Sequence, residues 1–260
     1  MADDERLRVS VVQTESSLDP AVNRARLDEA AELAPASDLV VFPEAFARDF
    51  GKPGSDLAAV AEPLDGPFVT RLREVSDQQG VAVLAGMFEQ SGEGGPPFNT
   101  LVLADRGVLT TYRKIHLYDS FGYRESDTVG AGAIEPVVVD VRGVPVGLMT
   151  CYDLRFPELG RALVDAGARV FAIPAAWVAG ERKAMHWTTL LRARAIENLV
   201  YVVGAAQCGP RYTGHSLVVS PYGDTIVEAD NDETVLNVSL DLAEVATARE
   251  ANPSLANRRF

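Results

Sequence analysis

Cysteine, histidine and positive charge are all in short supply in this chain. Two cysteines, Cys151 and Cys208, occur in 260 residues, too few for a disulfide framework, and no CxxC pair is present. His116, His186 and His215 are widely spaced, which argues against a structural zinc site, and no metal or other cofactor is expected. Lysine and arginine number 24 against 37 acidic residues, a net charge of −13. Such a surface repels phosphate backbones and anionic bilayers, so neither nucleic acid nor membrane is expected as a partner. No apolar run approaches the roughly 18–20 residues that span a bilayer. The N-terminal MADDERLRVSVVQTE has no basic stretch leading into an apolar one, so a secretory signal is not expected and a reduced, cytoplasmic location is. No Pro/Gly/Ser linker divides the chain, and a single domain over 1–260 is expected.

What the chain does have is alternation. VSVVQT (9–14) precedes a helical pattern over 23–33 and then DLVVFPE (38–44). A second helical pattern over 66–80 leads into VAVLAGMFE (81–89), NTLVLAD (99–105) and VLTTYRKI (108–115). PVVVDV (136–141) and VPVGLMTC (144–151) precede helical FPELGRALVDAG (156–167) and strand-like RVFAIPAAW (169–177). A helix over 183–199, VYVVGAAQC (200–208) and three short strands at 215–221, 225–230 and 235–240 complete the pattern. Val-rich strands between helices imply an α/β protein with sheets covered by helices, and the later hairpin-like strands imply some antiparallel pairing. VSVVQT–helix–LVVFPEAFA and VGLMTC–helix–VFAIPAAWV form a short internal echo.

Three places put a reactive group at or near a strand end, where open α/β sheets bind ligands. Glu44 follows four apolar residues and a proline in VVFPEAF; a solvent-facing carboxylate is the plain alternative. Lys114 sits within the strand-like TYRKI, flanked by Arg113 and His116; a solvated strand face is the alternative. Cys151 ends VPVGLMTC and precedes the polar helix start YDLRFPE. An apolar cysteine is usually a small core residue, yet N–H groups aimed at the sulfur would favour thiolate and reaction well below pH 8. Together the three make a complete set: a nucleophile, a base whose pKa an apolar pocket would raise, and a cation for an oxyanion, aided by the Tyr152 N–H.

FPEAF, YRKIHLYD and CYDLRFPEL, in that order and with Glu44, Lys114 and Cys151 spaced by 70 and 37 residues, resemble the nitrilase superfamily of carbon–nitrogen hydrolases. The resemblance extends over HWTTLLRARAIENLVYVVGAAQCG (186–209) and GHSLVVSPYGD (214–224), from about residue 7 to about 245. It implies a four-layer α-β-β-α sandwich, two mixed sheets covered by helices, paired into a homodimer. It implies Glu44 as general base, Lys114 as oxyanion cation, Cys151 as nucleophile and Glu125, in FGYRESDTVGAG, as a second glutamate supporting the lysine. Tyr152, Trp177 and His186 are expected to bind substrate, whereas Asp153, Arg155 and Glu158 are expected to brace the nucleophile turn through ion pairs. Cys208 is read as a core residue. CYDLRFPEL, RARAIEN and AAQCG resemble the deaminated glutathione amidase branch, so the expected reaction is hydrolysis of a terminal carboxamide of a small carboxylate-bearing substrate through a thioester. An ω-amidase of 2-oxo acid amides, a nitrilase and a non-catalytic scaffold are the other readings. CGPRYTGHS (208–216) is shorter than its counterpart in that branch, which leaves the acyl group open.

Overall fold

The computed structural model describes residues 5–259; Met1–Asp4, which open the N-terminal segment read above, and Phe260 lie outside them. The first sheet comes from the first half of the chain and its last strand. Its elements are β1 (Arg6–Gln13), α1 (Pro20–Arg26), α2 (Asp28–Leu33), β2 (Leu39–Val41), α3 (Pro67–Gln79), β3 (Ala82–Glu89), β4 (Phe98–Asp105) and β5 (Val108–Arg113). A small ribbon, β6 (Asp119–Ser120) and β7 (Tyr123–Arg124), leads into the second half. There β8 (Val138–Val141), β9 (Val144–Leu148), α4 (Pro157–Asp165), β10 (Val170–Ala175), α5 (Lys183–Asn198), β11 (Tyr201–Ala206), β12 (Leu217–Val219) and β13 (Thr225–Glu228) follow in turn. β14 (Thr234–Asp241) returns to the first sheet and α6 (Ala243–Ala251) follows it.

The two six-stranded sheets have orders β14-β1-β2-β3-β4-β5 and β13-β12-β11-β10-β9-β8. In each, three parallel strands lie at the centre: β1, β2 and β3 in one, β9, β10 and β11 in the other. Two antiparallel strands flank the trio on one side and one on the other. The echo between the two strand-helix-strand segments therefore has a counterpart in the whole plan of both sheets.

Side chains alternate across each strand, and the alternation builds the layers. In β2, Leu39 and Val41 enter the core between the sheets, while Val40 points to the helix side. In β3, Ala82 and Leu84 face the other sheet, and Val83, Ala85 and Met87 pack with Phe68, Val69 and Leu72 of α3. α4 and α5 cover the second sheet with Leu159, Leu163, Trp187 and Leu191. The result is the four-layer α-β-β-α sandwich. Each fully buried Val, Leu, Ile or Phe contributes about 1.5–3 kcal/mol, so the shared core is what binds the two sheets.

Several boundaries differ from the sequence reading. The continuous helix over 23–33 is two helices, and the first begins at Pro20. Asp19 caps it, Oδ1 accepting the Ala21 N–H at 2.9 Å, and Pro20 suits the first helical position. β5 ends at Arg113, so Lys114 follows the strand rather than lying inside it. Its N–H still donates to Asn99 O on β4 at 2.8 Å, while its carbonyl turns to the Gly132 N–H, which it accepts at 2.9 Å. α6, the ribbon β6–β7 and several short 3₁₀ turns carried too little periodicity to be read in advance.

Candidate active site

Three parallel or edge strands deliver their side chains to one place just past their C-terminal ends. β2 is followed by Phe42, Pro43 and Glu44, and the backbone there runs against β3. Phe42 N–H donates to Leu84 O at 2.8 Å and Gly86 N–H to Pro43 O at 3.1 Å. The approach is close because position 86 has no Cβ: one built there would lie 2.5 Å from the Ala45 nitrogen and 2.8 Å from the Glu44 Cα. Ala45 takes a left-handed φ of 52°, which turns the chain and leaves the Glu44 carboxylate aimed inward. Gln207 holds the turn from the other sheet, its Nε2 donating to Glu44 O at 2.8 Å.

Lys114 lies between two carboxylates. Its Nζ is 2.9 Å from Glu44 Oε1 and 2.8 Å from Glu125 Oε2, and all three side chains are 2% exposed or less. Asn99, fully buried on β4, donates from one amide nitrogen to both acids, at 2.7 Å to Glu44 Oε1 and 3.0 Å to Glu125 Oε1. Main-chain N–H groups complete the arrangement, Ala176 to Glu44 Oε2 at 2.6 Å and Tyr118 to Glu125 Oε2 at 2.7 Å. Buried charges persist only when paired and hydrogen-bonded. Burial disfavours the Lys114 cation, but the charges of Glu125 and Glu44 outweigh it and hold its pKa well above the ordinary lysine range.

Cys151 opens a 3₁₀ turn, Cys151–Arg155, with its backbone at φ 47°, a left-handed conformation that a non-glycine residue adopts at a cost of about 1–3 kcal/mol. Asp153 anchors this strained turn. Its carboxylate is fully buried and accepts from Tyr112 Oη at 2.7 Å, the Thr150 N–H at 2.9 Å and the His116 N–H at 3.0 Å, with His116 Nδ1 2.8 Å away. His116 in turn stacks on Phe156, ring centroids 3.7 Å apart. Tyr152, the second residue of the turn, contributes one of the N–H groups at its start. The thiol does not match the expectation of ready ionisation below pH 8. Burial pushes its pKa well up, and the Glu44 charge and a hydrogen bond to Glu44 push the same way against the lowering charge of Lys114. Burial and Glu44 thus both favour the protonated thiol.

Glu44, Lys114, Glu125, Cys151, Tyr152 and Trp177 all line one cavity of about 550 Å³. Trp177 is buried, with Nε1 donating to Lys183 O at 2.9 Å. His186, on α5, is not among the residues lining the cavity. Asp153 braces the turn through hydrogen bonds from Tyr112, the Thr150 and His116 N–H groups and the contact with His116 Nδ1, rather than through an arginine or lysine ion pair. The expected ion-pair brace does not hold for Arg155, which lines the cavity, or for Glu158, which is exposed on α4 and pairs with no cation among the described residues. Cys208 is buried, its thiol pushed up to about 11 chiefly by desolvation. Sequence reading missed Asn99 and Gln207. The available signal was a polar residue inside an apolar strand pattern, FNTLVLAD and GAAQC.

Comparison with known proteins agrees with this fold. The carbon–nitrogen hydrolase family model matches residues 8–250. A hydrolase of Mycobacterium tuberculosis is 41% identical over 272 residues, covering 97% of this chain and 95% of the relative. Deaminated glutathione amidase of Escherichia coli O157:H7 is 40% identical across 85% of each chain. A carbon–nitrogen hydrolase superfamily protein of Xanthomonas campestris, solved with an arsenic adduct in its active site, superposes with a TM-score of 0.88 at 32% identity over 98% of both chains. A double mutant of the amidase from Nesterenkonia sp. AN1, in complex with acrylamide, superposes with a TM-score of 0.83 at 29% identity, covering 98% of this chain and 95% of that one. In sequence and in fold alike, this chain belongs to the carbon–nitrogen hydrolase family of the nitrilase superfamily.

Proposed function

We propose that the protein hydrolyses the terminal carboxamide of a small carboxylate-bearing substrate to carboxylate and ammonia, in the manner of a deaminated glutathione amidase. The observation that carries this reading is the meeting of Cys151, Glu44 and Lys114 in a single cavity, with Lys114 held between two carboxylates. The 40% identity to the Escherichia coli amidase supports the choice of amide over other C–N bonds.

The chemistry follows from the protonation states. Cys151 rests as a thiol, so attack on the amide carbon needs a base, and Glu44 accepts the proton as the S–C bond forms. The carbonyl oxygen becomes an oxyanion stabilised by the Lys114 ammonium and the Tyr152 N–H, a type of contact worth about 2.7–4 kcal/mol per donor. Collapse breaks the C–N bond, and the proton held by Glu44 leaves with the amine as ammonia. Glu44, again a carboxylate, then deprotonates a water that attacks the thioester, releasing the acid and restoring the thiol. Glu125 keeps Lys114 in place through both half-reactions.

Cys151→Ala is expected to abolish ammonia release while leaving the thermal unfolding curve close to wild type. A Cys151→Ala protein that still turns over would refute the reading. Deaminated glutathione, ω-amides with and without a 2-oxo group, and a nitrile matched to each amide form the substrate panel. Faster ammonia release from the nitrile would move the assignment to a nitrilase.

A further inference from the structure

The short stretch CGPRYTGHS (208–216) contributes one wall of the cavity, and a buried acid from the first half of the chain ties that wall down. Arg211 and Tyr212 both line the cavity. On one side their backbone bonds to the segment after β10: the Ala179 N–H donates to Arg211 O and the Thr213 N–H to Trp177 O, each at 2.9 Å. On the other side stands Asp49, five positions beyond Glu44. Its carboxylate is 5% exposed and accepts from Arg211 Nη1 and Tyr212 Oη, each at 2.5 Å, and from the Gly51 N–H at 2.8 Å. The Asp49 N–H donates in turn to Ser17 O at 3.1 Å, which anchors the acid itself.

None of these bonds holds the reacting groups, which have supports of their own. Glu44 is fixed by Asn99, Ala176 and Gln207, and the Cys151 turn by Asp153. The wall that Asp49 holds is aromatic. Arg211 has its charge met by Asp49 and lies 5.2 Å from the centre of the Tyr212 ring. The Tyr212 hydroxyl is spent on Asp49, which leaves the ring as the part a ligand meets. Phe50, beside Asp49, lines the same cavity and is held edge-on against Phe88, ring centroids 5.0 Å apart. A cavity of about 550 Å³ is of the size that takes a drug-sized ligand. A carboxamide and its nearest carbons would leave most of it empty.

We propose that Asp49 is a positioning residue for the acyl pocket: it holds Tyr212, beside Phe50, as an aromatic wall against which the far end of a long acyl group packs. This rests on the amidase reading and deepens it, because the site then selects for an apolar or planar group distant from the scissile amide. Fixing the ring before the ligand arrives lowers the ordering needed on binding. An acyl group that stops short of the wall gains nothing from Asp49.

Kinetics on neutral amides of increasing reach, propionamide, hexanamide and 4-phenylbutyramide, tests the proposal. Wild type should prefer 4-phenylbutyramide to propionamide in kcat/KM. In Asp49→Ala that preference should fall about 10-fold, the factor for losing a buried charged hydrogen bond, with the change carried by KM for the long amide. Asp49→Asn, which keeps an acceptor for Tyr212 and loses the charge that holds Arg211, should fall between Asp49→Ala and wild type. Tyr212→Ala should lose the preference as Asp49→Ala does, and the double variant should lose no more than the stronger single one. No preference in wild type, or a loss by one common factor on all three amides in Asp49→Ala, would make Asp49 a structural residue and overturn the proposal. Hydrogen exchange supplies a readout that needs no turnover. In Asp49→Ala the peptide over 209–214 should exchange faster, while that over 148–155 keeps its wild-type rate. Unchanged exchange over 209–214 would equally overturn the proposal. A wild type that releases ammonia from none of these amides nor from deaminated glutathione would sink the amidase reading, and faster exchange over 209–214 would still show that Asp49 holds the wall.

Discussion

At the scale of single residues, the site depends on a polar side chain outside the Glu44, Lys114 and Cys151 set. Asn99 spends both N–H bonds of one amide nitrogen on Glu44 and Glu125. Donors to a carboxylate favour its charged form. Asn99→Leu keeps the volume and removes the donors. It should lower kcat about 10- to 100-fold, the worth of one to two charge-assisted bonds. Equal kcat in the variant would show that Asn99 only fills space. Cys151 makes a second residue-scale prediction. Burial raises its pKa, with the Glu44 charge next in size and the Lys114 charge opposing. Glu44→Gln removes a raising influence and leaves the lowering one, so thiolate absorbance should appear at lower pH in the variant even as turnover is lost. A titration identical to wild type would contradict that arrangement.

At the scale of elements, chemistry is placed by backbone approach rather than by side-chain choice alone. β3 can lie against the Glu44 turn because Gly86 has no Cβ, and Gly132 meets the Arg113 carbonyl so closely that a Cβ there could not be accommodated in place. Gly86→Ala should therefore push the Ala45 backbone away. The expected loss is about 1–3 kcal/mol of stability, as for overpacking, with a fall in kcat larger than stability alone explains. Full activity in Gly86→Ala, measured well below its unfolding temperature, would show that the turn can give way freely. The same scale explains which boundaries were legible. Apart from the ribbon, the strands and α3, α4 and α5 were read nearly as they stand, because each carries a local apolar run or period of its own. The ribbon β6–β7, with two residues per strand, has no period to read. The exit of Lys114 from β5 depends on Gly132, distant by 18 positions in the chain, and nothing in TYRKI announces it.

At the scale of the whole molecule, burial of titratable groups sets the behaviour in alkali. Tyr112, by burial and then by Asp153, and Tyr201 and Tyr212, by burial and then by Glu244 and Asp49, are all raised above the ordinary tyrosine value of 10.0. Lys114 is raised above 10.5 by its two glutamates despite its own desolvation. In each case the folded chain keeps a proton that the unfolded chain releases near those ordinary values. Stability present below pH 10 is therefore lost as pH rises through and beyond it. Unfolding temperatures measured stepwise across that range should fall steadily; a flat profile would be inconsistent with four raised groups. Among the described residues no helix is long and apolar enough to cross a membrane, in line with the absence of long apolar runs.

The sequence by itself determined the residue types, their order and the period of most elements: apolar runs for the strands, amphipathic stretches for the main helices, and Glu44, Lys114 and Cys151 near strand ends. Those are local properties, because hydrophobic pattern and turn chemistry act over a few residues. The tertiary structure alone decided that β4 brings Asn99 between two acids, that Ala176 and Gln207 from the second sheet hold Glu44, and that Arg155 lines the cavity instead of bracing the turn through an ion pair. It also decided that the cysteine is a protected thiol rather than a ready thiolate. Electrostatics and hydrogen-bond satisfaction depend on what is within a few ångströms in space, and for these residues the neighbours come from elements as much as 163 positions apart in the chain.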